Sequence, residues 1–226
     1  TALNLLDIGN SNCRIYGDVA LTPSASIDYP NGSHNPSDII QGNVGTTDRT
    51  FDPVVIPNLP SATWTNTNII SSGDGMADHN LGSVHINNGV LDINLSGDME
   101  LVFDTLSSNN ATINVNGDGN LVIYARTVEF KGNLHTYGNV ITTLMIKDYG
   151  NVDFQTGSSV FEAYIYAPDA DVKIRANFGS VGAIIAQNVI LESGGEVRYD
   201  EEALGNVYPE DLGYPSLGYN RSVWVE

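Results

Sequence analysis

The chain has 226 residues, with 9 Lys/Arg against 27 Asp/Glu and a formal net charge of −18. That length suits one moderate domain or two small ones and is enough to bury a core without covalent staples. The balance excludes a nucleic-acid face, which needs clustered Lys/Arg. No apolar run approaches the ~20 residues of a membrane-spanning helix, and a lone cysteine, Cys13, excludes a disulfide framework.

Helical periodicity is almost absent. Short runs rich in Val, Ile, Tyr and Phe alternate with Asn-Gly, Gly-Asp, Gly-Asn and Gly-Gly turns. The chain opens on Thr1 without a basic segment leading into an apolar one, so it reads as a mature or trimmed product. Low Lys content with abundant Asn, Gly, Ser and Thr is common in secreted bacterial surface proteins, a compositional hint only.

Residues 11–21 read as a strand pair around Gly17-Asp18, and residues 38–44 as a further coil of the same kind. Residues 51–64 break the rhythm. Pro53, Pro57 and Pro60 cannot donate to a strand ladder, so this stretch is expected to lie extended across the surface, with Trp64 as an anchor.

Regular coils resume near Ile69 and are expected to run to about Glu202. Within them, four apolar triplets start at Val122, Leu144, Tyr164 and Ala183, separated by 22, 20 and 19 residues. Each is followed by a second short strand: Val128–Phe130, Val152–Phe154, Val172–Ile174 and Val189–Leu191. A two-strand unit repeating about every 20 residues has the length of one coil of a β-solenoid, in which stacked coils share one core. The competing architecture is a β-sandwich of hairpins. The expected fold is therefore all-β, a parallel, right-handed β-solenoid with irregular coils. It divides into N-terminal irregular coils with the proline-rich excursion (1–68), a main solenoid (69–202) and a C-terminal cap with a closing strand (203–226).

The stretches 161–174 (FEAYIYAPDADVKI), 182–191 (GAIIAQNVIL) and Tyr199-Asp-Glu-Glu202 resemble the β-solenoid domain of PilX-type minor-pilin-like proteins of bacterial type IV pilus systems. Gly17-Asp-Val19 and a closing strand with Trp224 and Glu226 are similar too. The resemblance covers residues 120–226 best. Arg175-Ala-Asn177 departs from it, standing where a glycine turn is usual. The resemblance implies an extracellular domain that follows an apolar helix embedded in membrane or filament. Its implied partners are other pilus subunits or a surface or carbohydrate ligand, with membrane contact only through that helix.

No residue is assigned as catalytic, cofactor-binding or metal-ligating, and each candidate has a plainer reading. Asp148, Asp153, Asp169 and Asp171, with Lys147 and Lys173, are expected on one outer face. They form either a polysaccharide-cleaving site or a solvated ladder of weak ion pairs. Ser72–Asp78 and Asn116–Asn120 have the oxygen-rich character of calcium loops but match no calcium motif, and Asp-Gly is also a common turn. His34, His79, His85 and His135 lack zinc-ligand spacing. Cys13 reads as a small core or corner residue rather than a nucleophile. Asn31, Asn94, Asn110 and Asn220 form sequons at a frequency the Asn content explains. Tyr208, Tyr214, Tyr219 and Trp224 suit a lid over the solenoid end or a sugar platform. The function expected is non-enzymatic display at a filament or cell surface. A carbohydrate-active β-helix enzyme and a self-assembling scaffold are the alternatives.

Overall fold

A computed structural model describes residues 2–30, 36–48, 50–63, 69–72, 78–147, 151–155, 160–175 and 179–199. Trp64, the tail 203–226, His34, Asp148, Asn31, Asn220 and the centre of the Ser72–Asp78 loop lie outside them.

Among the described residues one 16-stranded sheet carries the fold. In chain order the strands are β1 (Ala2–Ile8), β2 (Arg14–Tyr16), β3 (Val19–Leu21), β4 (Ser26–Asp28), β5 (Val44–Thr46), β6 (Ile69–Ser71), β7 (His79–Asn80) and β8 (Ser83–Asn87). They continue as β9 (Val90–Ser96), β10 (Met99–Ile146), β11 (Asn151–Gln155), β12 (Val160–Glu162), β13 (Tyr164–Arg175), β14 (Gly179–Val181), β15 (Ile184–Leu191) and β16 (Glu196–Arg198). The single helix among them, α1 (Pro36–Ile39), is one turn long and occupies part of the stretch that the sequence suggests is a coil. All the pairings are parallel, and residues about 22 apart become neighbours: Thr112 beside Val90, Leu106 beside Val84. The strands form a β-solenoid rather than a sandwich of antiparallel hairpins.

Each coil visits three sides. One is built by β8, β11, β4 and parts of β10, β13, β15 and β1. The second is built by β6, β9, β12, β14, β16, β2 and part of β10. The third is built by β7, β3, β5 and the remaining parts of β10, β13, β15 and β1. Alternate residues point inward because the strand repeat is two. Leu106, Val128, Val152, Val172, Val189 and Leu6 form one buried column, and Phe130, Phe154 and Phe161 meet edge-on or tilted at 4.9–6.3 Å in the centre. Close coil stacking sets the corner glycines. Gly117 sits at φ +118°, and a Cβ there would fall 2.1 Å from the Leu95 carbonyl oxygen, so no larger residue fits.

The order of the coils in space is not their order in the chain. β1 pairs in parallel with β15, and β2 with β16. The N-terminal strands therefore extend the stack beyond the coil of residues 184–198, with β3, β4 and β5 further out. The chain must then return the length of the solenoid to begin again at β6. Residues 50–63 make that return as a strap along the third side. Tyr166 Oη donates to the Asp52 carbonyl (2.7 Å) at one end of it, and the Asn80 amide donates to the Pro60 carbonyl (2.8 Å) at the other. Between these points Val54, Ile56 and Leu59 pack on Val102, Val122, Tyr124, Met145 and Tyr166, a small apolar layer outside the main core. Three prolines suit this role because a strap needs no ladder donors.

Candidate functional site

The three outward surfaces have different chemistry, and each follows from which residues alternate outward. On the first side the strands place Glu129, Asp153, Lys173, Asp7 and Asp28 along one column, with Arg175 and Glu192 beside it. Opposite charges are paired across coils. Arg175 grips Asp153 with two hydrogen bonds, Nε to Oδ1 at 2.9 Å and a shorter one from Nη2 to Oδ2. Lys173 Nζ lies 2.9 Å from Glu192 Oε1, and Lys131 Nζ 2.7 Å from Glu129 Oε1. The Asp153 hydrogen bond holds the Arg175 guanidinium still more firmly protonated. Asp7 is the exception. Partial burial, then the Asp28 and Glu192 carboxylates, push its carboxyl above the usual range, with Lys173 opposing them.

The expected acidic set is thus rearranged. Asp153 pairs with Arg175 and sits in register with Lys173, whereas Asp171 accepts from Asn188 Nδ2 (2.5 Å). Asp169 belongs instead to the strap side, where its charge and that of Asp52, together with burial, push the Tyr166 hydroxyl up to about 12. Burial is the largest of these causes, and the hydrogen bond to the Asp52 carbonyl works against the rise. Arg175 reaches Asp153 diagonally, since the register partner of Asp153 one coil on is Lys173 and Arg175 stands two residues further. Asp7, Asp28 and Glu192 were not legible as neighbours, because their meeting depends on β1 stacking beside β15.

The second side is dominated by amides. Asn114 Nδ2 donates to Asp92 Oδ1 (2.8 Å), Asn116 Nδ2 to Asn94 Oδ1 (3.2 Å), and at the adjoining corner Asn110 Nδ2 donates to Asn88 Oδ1 (2.9 Å). Asn88 and Asn110 hold positive φ at this corner, as short polar side chains tolerate. One coil further along, Glu162 Oε2 accepts from the Thr136 amide (2.6 Å) and lies 3.9 Å from His135 Nδ1. The Tyr137 ring stands 6.1 Å from that of His135 and is 52% exposed.

The remaining candidates fall apart in space. His79 and His85 lie on different sides of a coil, and Cys13 is buried, near Asn10 Oδ1. Asp118, in the Asn116–Asn120 turn, accepts from Asn139, and Asp98 accepts from Asn120, so these oxygens join neighbouring coils. Among the described residues no three His, Cys, Asp or Glu side chains converge as a metal site.

A family model describing a domain of unknown function, DUF7305, matches residues 31–206, more than three quarters of the chain. The chain belongs to the DUF7305 family. No curated protein and no solved structure matches it. The matched region begins beyond β1–β4, so four of the N-terminal strands that extend the stack lie outside it and β5 lies within.

Proposed function

We propose that this DUF7305 chain is a non-enzymatic extracellular domain of a type IV pilus-associated, minor-pilin-like protein, displaying a rigid β-solenoid for surface or partner contact. The observation that carries this reading is the pairing of outward charges from coil to coil, Asp153 with Arg175 and Glu192 with Lys173. Ion pairs that join neighbouring coils in this way suit a solvated scaffold surface. The resemblance of residues 161–174 and 182–191 to minor-pilin-like domains supplies the filament context.

The test is to read the gene upstream of Thr1 and to ask whether the encoded protein co-purifies with sheared pili. An apolar helix of ~20 residues behind a short leader, with recovery in the pilus fraction, is the expected result. A freely secreted product absent from pili overturns the assignment.

A second reading, a polysaccharide-cleaving β-helix enzyme, is favoured by one observation. Asp7 has a raised carboxyl pKa beside Asp28 and Glu192. Release of new reducing ends or unsaturated products from polysaccharides, abolished by Asp7→Asn, would establish it.

A further inference from the structure

We infer that the second side of the solenoid is a binding face for an extended, uncharged polysaccharide chain, lying along the solenoid axis across Asp92, Asn114, His135 and Glu162 with Tyr137 as its aromatic platform. This deepens the display reading by naming the face and the class of surface ligand, and it rests on that reading only for its biological setting.

The argument begins by elimination among the three sides. The third side is already covered, since the strap residues Val54, Ile56 and Leu59 occupy its apolar column. The first side is ionic, and its cations are committed to its own carboxylates. Among the described residues none straps the second side, and it carries exposed apolar groups, Ile69 and Val90 at one end and Tyr137 in the middle, each 43–52% exposed.

Register then sets the geometry. Ile69, Asp92 and Asn114 are successive partners, as are Glu162, Val181, Arg198 and Tyr16. His135 joins the two runs, because Leu134 pairs with Phe161 and the corner bond from Asn139 to Asp118 sets an offset of 21 residues. Asp92, Asn114, His135 and Glu162 therefore present one polar side chain on each of four successive coils, at the ~4.8 Å spacing of neighbouring strands. That repeat is close to the length of one hexose unit in an extended chain, so successive sugars meet equivalent positions.

Chemistry and charge select the ligand. Carboxamides offer donors and acceptors together, matching hydroxyl groups, and an exposed tyrosine ring suits the apolar face of a pyranose. Arg198 Nη2 lies 2.8 Å from Glu196 Oε1 and stacks over the Tyr16 ring, while the Asp92 and Glu162 carboxylates accept from the Asn114 side chain and the Thr136 amide. An amide-rich face that carries two carboxylates, on a molecule of net charge −18, repels an anionic chain and leaves its donors and acceptors to an uncharged one.

The test is calorimetric titration of the full chain with β-1,4-linked glucose oligomers from two to six units, with oligogalacturonate and chitosan oligomers as the charged comparisons. Affinity for the neutral oligomers should climb with length and change little with salt. Tyr137→Ala should weaken six-unit binding roughly ten-fold. Because Tyr137 is half exposed, that variant should keep its melting temperature. Lys173→Ala, on the ionic side, should bind as the parent does. The inference is overturned if no neutral oligomer binds, if only a charged oligomer binds, or if Tyr137→Ala leaves affinity unchanged. The pilus reading is decided separately: glycan binding by a chain absent from pili removes that reading alone, and pilus association without glycan binding removes this one alone.

Discussion

Leu6 lies beside Val189 in a parallel strand pair, although almost the whole chain separates them. Both side chains point into the core, where they continue one buried column. The contact means that the N-terminal strands cover the edge of the coil ending at Leu191, an edge that would otherwise offer unpaired backbone groups to another chain.

This stacking is testable by cross-linking. Leu5 and Asn188 are register partners on the outside of that pair, close enough for a disulfide between neighbouring strands. In a Cys13→Ser background, Leu5→Cys with Asn188→Cys should close quantitatively under mild oxidation and raise the melting temperature. Closing a loop of that length stabilises by about 4 kcal/mol or more in the chain-entropy account. A pair that stays reduced in the folded protein contradicts the stacking order.

The strap makes a second prediction. Val54 is buried against Val102, Tyr124 and Met145. Val54→Asp places an unpaired charge there, so the strap should detach and residues 50–63 should become the first site of limited proteolysis, with the solenoid core still resistant.

Tyr166 should report on the same contact. Its folded pKa of about 12 lies above the ordinary value of 10, so its stabilising contribution is complete below pH 10 and is lost as pH rises through 12. Absorbance titration of the tyrosinate band should show one late phase that is absent in Tyr166→Phe.

Asp7 predicts a pH dependence of the same sign in the acid range. Its folded pKa is raised, so the group favours the folded state fully below its unfolded value of 3.8 and progressively less as pH rises through the folded one. Asp7→Asn should therefore raise the melting temperature at pH 7 and give no advantage at pH 3. Equal effects at both pH values would remove the electrostatic explanation.

Thr142 predicts a gain. Its hydroxyl is buried and has no hydrogen-bond partner, whereas the buried Ser108 hydroxyl accepts from the Lys131 amide. Thr142→Val should stabilise by about 1 kcal/mol, read as a higher denaturant midpoint at unchanged slope. The corresponding Ser108→Ala should destabilise.

Much of the architecture was legible in the sequence because it is local and periodic. Triplets at Val122, Leu144, Tyr164 and Ala183 repeat at coil length, and alternation within each strand fixes which residues point inward. The pairing of Asp153 with Arg175 was less direct, because one coil from Asp153 leads to Lys173 and Arg175 reaches it diagonally. The three proline positions announced a segment unable to join the ladder. Its destination was another matter: Val54 reaches Met145 only because the stack is complete and the strap has its full length to cover. The order of the coils was likewise decided by tertiary structure. A parallel edge accepts any strand of suitable pattern, and nothing local in Ala2–Ile8 specifies that its partner is Ile184–Leu191. Hence Asp7, Glu192 and Lys173 were brought together by folding alone, whereas the repeat that builds each side was written residue by residue in the chain.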